Sequence, residues 1–205
     1  GEGSKRRGCG GGLTDEAYDV LKSLGGVAAG GDYKYTGKDG TCNIDHYNKL
    51  VAVSGYKYVG KHSESTMKSY VGSTGPISVC VDANDWSGYR GGIKTSCGTK
   101  TDHCVQIVGY GSQGSTSYWK VRNSWATHFG ENGYLRLKIG KNLCNIANDP
   151  TVTSTKVLGP SPSPSPSPSP SGQSDASSAV RQSGGAPGPL TMLLMALAMG
   201  KSGHG

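Results

Sequence analysis

Between Leu13 and Leu24, apolar residues recur at helical spacing: Leu13, Ala17, Val20, Leu21 and Leu24. That stripe predicts a helix over 14–24, with Thr14 able to cap its start and Gly25-Gly26 ending it. Residues 26–49 lose the periodicity to turn residues around Tyr33 and Tyr35 and read as loop. From Val51 the texture becomes strand-like. Val51, Val53 and the run Tyr56–Val59 form one candidate strand, and Pro76–Val81 another. Between them, Ser63–Tyr70 reads as a short helix capped by Ser63. Three further strands are predicted at Cys104–Tyr110, Tyr118–Arg122 and Tyr134–Ile139. The last alternates, with Leu135, Leu137 and Ile139 on one face and Arg136 and Lys138 on the other. Such alternation belongs to an antiparallel sheet with one wet face. The picture is a helical fragment followed by a β-rich domain.

Composition then divides the chain. Of 10 prolines in 205 residues, only Pro76 and Pro150 precede Pro160, whereas about 27 of the 34 glycines do. The folding part, 1–159, is long enough to bury a core, and its Tyr and Trp residues supply large area each. Residues 160–171 are a strict Pro-Ser repeat, an extended linker of about 3.1 Å per residue. Residues 172–205 read as a disordered, low-complexity tail. Its apolar segment, Leu190–Met199, is too short for a stable membrane span. Two readings of that segment stay open: the end of a lipid-anchor signal, or gene-model read-through.

The net charge of +7 is scattered rather than clustered, apart from Lys5-Arg6-Arg7. Without a nucleic-acid-binding motif beside it, the charge reads as a basic surface, and no nucleic-acid partner is expected. Six cysteines occur without a CxxC pair, which argues against a structural metal site. Their wide spacing in a glycine-rich chain favours disulfides and a secreted or lysosomal/vacuolar setting. The polar start without Met reads as truncated or processed.

Two segments carry chemistry. One is Thr101-Asp102-His103-Cys104-Val105-Gln106-Ile107-Val108-Gly109-Tyr110-Gly111. The other is Tyr118-Trp119-Lys120-Val121-Arg122-Asn123-Ser124-Trp125, continuing to Gly130-Glu131-Asn132-Gly133-Tyr134. A lone His before a strand is more often structural than catalytic. A His at a strand mouth, followed by Asn-Ser-Trp and then Gly-Glu-Asn-Gly-Tyr, reverses that balance.

The set resembles the second half of a papain-family cysteine peptidase, the cathepsin group. Cys9-Gly10-Gly11-Gly12 is similar to the family's Gly-Cys-x-Gly-Gly segment. Tyr33-x-Tyr35, Asp39-Gly40-Thr41-Cys42, Pro76-Ile77-Ser78-Val79 and Tyr89-x-Gly91-Gly92-Ile93 follow in the family's order. The resemblance covers about residues 8 to 155. It implies the α+β, papain-like two-domain fold, here mostly the antiparallel β-barrel domain plus a remnant of the helical domain. It implies a Cys-His-Asn endopeptidase acting on peptide or protein substrates, with no cofactor, as a monomer.

The resemblance also assigns roles. A thiol of pKa about 8.5 needs an adjacent imidazole to become a thiolate, and His103 matches that base. Asn123 matches the residue orienting the imidazole, and Trp125 the indole shielding the His–Asn bond from water. Gly11 and Gly12 match the strand that pairs with the extended peptide, which bare backbone can approach closely. Asp102, next to the base, is assigned to substrate binding. Leu13, Cys80, Cys104 and Asp149 align with the main specificity pocket. Leu13 also reads as a helix staple, and Asp149 as a solvated turn before Pro150. An Asp149 at the pocket floor implies tolerance of a basic residue two positions before the cut.

Cys97 and Cys144 match a family disulfide, and Cys9 and Cys42 match half-cystines with partners upstream. Cys80 and Cys104 face each other across the pocket, as a further bridge or as two buried thiols. The family's nucleophile lies in a Cys-Gly-Ser-Cys-Trp segment that this sequence lacks, so the chain is expected to be inactive alone. In smaller departures, Ala126 stands where a glycine is common and His128-Phe129 replace a small residue and a tryptophan. The rival reading is a non-catalytic homologue that binds peptides or partners. A disulfide-rich binding module on a Pro-Ser stalk is a third.

Overall fold

The computed structural model describes residues 8–158. The Pro-Ser linker at 160–171 and the tail at 172–205 lie outside the described residues. Two helices, α1 (Thr14–Ser23) and α2 (Glu64–Ser73), accompany eight strands. These are β1 (Val27–Ala28), β2 (Lys49–Tyr58), β3 (Ile77–Val81), β4 (Ile93–Lys94), β5 (His103–Gln113), β6 (Thr116–Arg122), β7 (Tyr134–Lys138) and β8 (Thr151–Val157). They form one sheet in the order β1-β2-β8-β3-β5-β6-β7-β4. Every strand pair is antiparallel except β4 with β7. The α+β class expected from the sequence is the one observed.

The core follows from the alternation. Ile77 lies opposite Ile107, Ile107 opposite Val121, and Val121 opposite Leu135, one apolar row across four strands. All four are fully buried, each contributing about 1.5–3 kcal/mol relative to exposure. Met67 of α2, Trp86, Trp119 and Ile146 complete this cluster. A smaller cluster of Tyr18, Leu21, Val27 and Val53 holds α1 to the other end of the sheet.

Helix α1 differs in detail from its sequence pattern. Its buried face is Thr14, Tyr18 and Leu21, while Leu13 is half exposed. Thr14 does not cap the helix. Leu13 occupies the cap position, and the Thr14 hydroxyl meets that of Thr151 at 2.7 Å. The helix rests on β3 and β8 through hydroxyls, including Tyr18 to Ser78 at 2.8 Å, so apolar periodicity misplaces its inner face. Its stop is as expected. Gly26 at φ +134° takes a conformation only glycine adopts readily, and a Cβ there would collide with the Val51 carbonyl. Ser63 caps α2 by accepting from the Thr66 amide. Strands β1, β4 and β8 are found where no strand is predicted.

Candidate active site

His103 opens β5 opposite Val81 of β3, and the Asp102 amide donates to the Val81 carbonyl at 3.0 Å. Asn123 follows the last residue of β6, its amide held by the Gly133 carbonyl at 2.9 Å. Because β5 and β6 are neighbours, both side chains emerge at one corner. There the His103 Nε2 lies 2.8 Å from the Asn123 Oδ1. Both residues are buried.

The protonation follows from hydrogen-bond accounting. The Ser124 amide can only donate, and it reaches the same Asn123 atom at 2.8 Å. That atom is therefore the amide oxygen, an acceptor, so His103 Nε2 must carry a proton and donate it. In the neutral ring Nδ1 is then a bare lone pair. Nδ1 is buried and finds no hydrogen-bond partner among the described residues. Burial holds the imidazole below its ordinary pKa, with the Asn123 bond and the Asp102 charge opposing. The site presents a neutral base, anchored at one nitrogen and available at the other.

An aromatic cover surrounds it. Trp125 stacks on the imidazole at 5.2 Å, and Trp86 stands edge-on to it at 6.3 Å. Phe129, buried, packs edge-on against Trp125 at 5.1 Å. Phe129 thus serves as the aromatic lid, while His128 is exposed. Ala126 sits at φ +60°, a left-handed conformation that explains why a glycine suits this position. The Gly130–Tyr134 motif is a turn that seats Glu131, whose carboxylate accepts from Gly92 and Arg136 and ties β4 to β7.

Residues 2–154 match the family model for papain family cysteine proteases. The chain belongs to the papain family. Vignain of Ricinus communis is 40% identical over 152 residues, covering 70% of this chain and 42% of that protein. A cathepsin L-like proteinase of Fasciola hepatica is 40% identical over 146 residues, 69% of this chain and 44% of its own. The chain thus spans less than half the length of these curated relatives. Among solved structures, the bromelain protease of Ananas comosus superposes with a TM-score of 0.69 at 36% identity, covering 73% of each chain. Procathepsin L 3 of Tenebrio molitor gives 0.63 at 28% identity, over 68% of this chain and 47% of its own.

Within this papain-family frame the remaining residues fall into two groups. Leu13, Thr14, Asp15, Tyr58, Cys80, Asp149 and Thr151 line one small cavity of about 90 Å³ that opens to solvent. It brings together Leu13, Cys80 and Asp149, three of the residues that the resemblance aligns with a specificity pocket. Cys104 joins them through a disulfide to Cys80, its directly opposed partner across β3 and β5. That settles the open question in favour of a bridge. Cys97 and Cys144 form the second disulfide, across 47 residues, worth about 4 kcal/mol by loop-closure entropy. Asp102 is not part of the cavity wall, and its carboxylate accepts from the Ala83 amide at 2.8 Å. Gly11 at φ +81° and Gly12 lead directly into the Leu13 wall.

Sequence reasoning missed Trp86, Asp15 and Tyr58. Tyr58 donates to the Asp15 carboxylate at 2.8 Å. That bond, with burial and the charge of Asp15 behind it, pushes the Tyr58 phenol up to about 12. A tyrosine ending a strand two residues from Gly60 carries no motif that marks it. No helix among the described residues is long and apolar enough to cross a membrane.

Proposed function

We propose that this chain carries the base and specificity half of a cysteine-type endopeptidase working through a Cys-His-Asn mechanism. His103 Nδ1 removes the thiol proton to make the attacking thiolate, then returns it to the leaving amine. Asn123 keeps the ring in the tautomer that leaves Nδ1 bare, and Trp125 keeps water from that bond, where a low dielectric strengthens it. The nucleophile is a cysteine other than the six in this chain, so the 205 residues alone do not hydrolyse peptides. Gly11 and Gly12 pair with the extended substrate. The cavity at Leu13, Cys80 and Asp149 takes the side chain two residues before the cut, and Cys104 braces its wall. The carboxylate of Asp149 lets that cavity tolerate a basic side chain. The protein works as a monomer in a secreted or lysosomal/vacuolar compartment, a setting that two disulfides support.

The observation carrying this reading is the His103–Asn123 bond with its second nitrogen buried and unengaged. Peptide hydrolysis by the full natural protein tests it. His103→Ala should lower kcat/KM by about 10²–10⁴ while circular dichroism stays unchanged. Unaltered turnover in that variant would contradict the mechanism. Peptide binding without turnover in the wild type would favour the non-catalytic homologue.

A further inference from the structure

The specificity cavity is not an empty acidic pocket. Lys61, which does not line it, reaches two residues that do. Its Nζ lies 3.2 Å from the Asp149 carboxylate and 5.0 Å above the Tyr58 ring. The backbone on either side fixes that reach. The Val59 amide donates to the Pro150 carbonyl at 2.9 Å, and the His62 amide to the Ala147 carbonyl at 2.7 Å. The two bonds straddle Lys61 and clamp its segment beside the one carrying Asp149. Gly60 at φ +66° and His62 at φ +60° make the tight turn that this requires. The cavity therefore has two carboxylates at its wall, one already engaged by Tyr58 and the other by a lysine.

We propose that Lys61 is a specificity-determining residue, an internal counter-ion that biases this cavity towards uncharged side chains. The inference rests on the cavity being the substrate side-chain pocket. A substrate arginine or lysine must compete with Lys61 for Asp149, whereas leucine or phenylalanine need not disturb the pair. Both partners are about half exposed, 51% and 52%, so the internal pair is weak and substrate can displace it. A guanidinium, which can grip a carboxylate with two parallel bonds, is the best competitor. Basic side chains are thus tolerated but penalised.

The test uses the full 205-residue chain and two blocked tripeptides, Ala-Arg-Ala and Ala-Leu-Ala, with binding followed by NMR at the Thr14 and Cys80 amides. Lys61→Ala should tighten Ala-Arg-Ala by about two- to five-fold and leave Ala-Leu-Ala unchanged. Adding Asp149→Ala to Lys61→Ala should abolish that gain. Lys61→Met, which keeps most of the stem, should behave as Lys61→Ala does. Lys156→Ala, an exposed lysine on β8, controls for net charge and should change neither peptide. Equal changes for both peptides, no change in Lys61→Ala, or the same gain in Lys156→Ala would overturn the role of Lys61 alone. Failure of either peptide to perturb the cavity amides in any variant would overturn the pocket reading as well.

Discussion

One amide oxygen decides the chemistry of this site. Because Asn123 Oδ1 accepts from both Ser124 and His103, it sets the imidazole tautomer and leaves Nδ1 as a bare lone pair, the atom proposed to act as the base. Burial lowers the imidazole's pKa, so the folded chain holds this proton less readily than the unfolded chain does. The unfolded state then binds more protons just below pH about 6.5, and this group's contribution to stability falls as pH drops through that range. An NMR titration of the isolated chain should place His103 below about 6.5. A value at or above that would mean a negative partner offsets its burial. At this scale the sequence was most legible where chemistry demands fixed residue types: His103, Asn123 and Trp125 stand in recognisable segments. Trp86 was illegible. It touches the imidazole from a turn after β3, through packing that leaves no trace in periodicity.

Elements were readable to the extent that burial alternates. β7 shows its buried Leu135 and Leu137 against half-exposed Tyr134, Arg136 and Lys138, and was anticipated within one residue. β8 reads Thr-Val-Thr-Ser-Thr, and most of it is exposed, so no apolar rhythm announces it. Yet β8 sits between β2 and β3 and supplies Thr151 to the cavity. The two-residue strands β1 and β4 are too short for any pattern and arise from the partners they pair with. Helix α2 is tied by polar contacts as well as by its buried Met67. The Glu64 carboxylate in its first turn accepts from the Trp119 indole at 2.8 Å, the Gly140 amide at 3.0 Å and the Asn142 amide at 2.7 Å. Losing it orphans a donor on a fully buried tryptophan. Glu64→Ala should cost roughly 2 kcal/mol in urea unfolding. A loss under about 0.5 kcal/mol would show that water replaces the carboxylate at little cost.

At the scale of the whole molecule, the 152 residues that match vignain span 42% of that protein. What the chain contains is coherent: a buried imidazole hydrogen-bonded to an amide, an aromatic cover and a cavity braced by a cross-strand disulfide. The fold was legible because the two long motifs bracket β5, β6 and β7, which position His103 and Asn123. The cavity was half legible. Leu13, Cys80 and Asp149 lie near motif residues, as does Asp15 two residues after Leu13, whereas Tyr58 reaches it only through the fold and Lys61 touches two of its lining residues. The central claim is that His103 activates a cysteine outside the six in this chain. Labelling the natural protein with an epoxide probe, followed by mass-spectrometric mapping of the modified cysteine, tests it most directly. The expected result is one modified cysteine in a peptide absent from these 205 residues, with labelling lost in His103→Ala. Modification of Cys9, Cys42 or any other cysteine of this chain, dependent on His103, would contradict it.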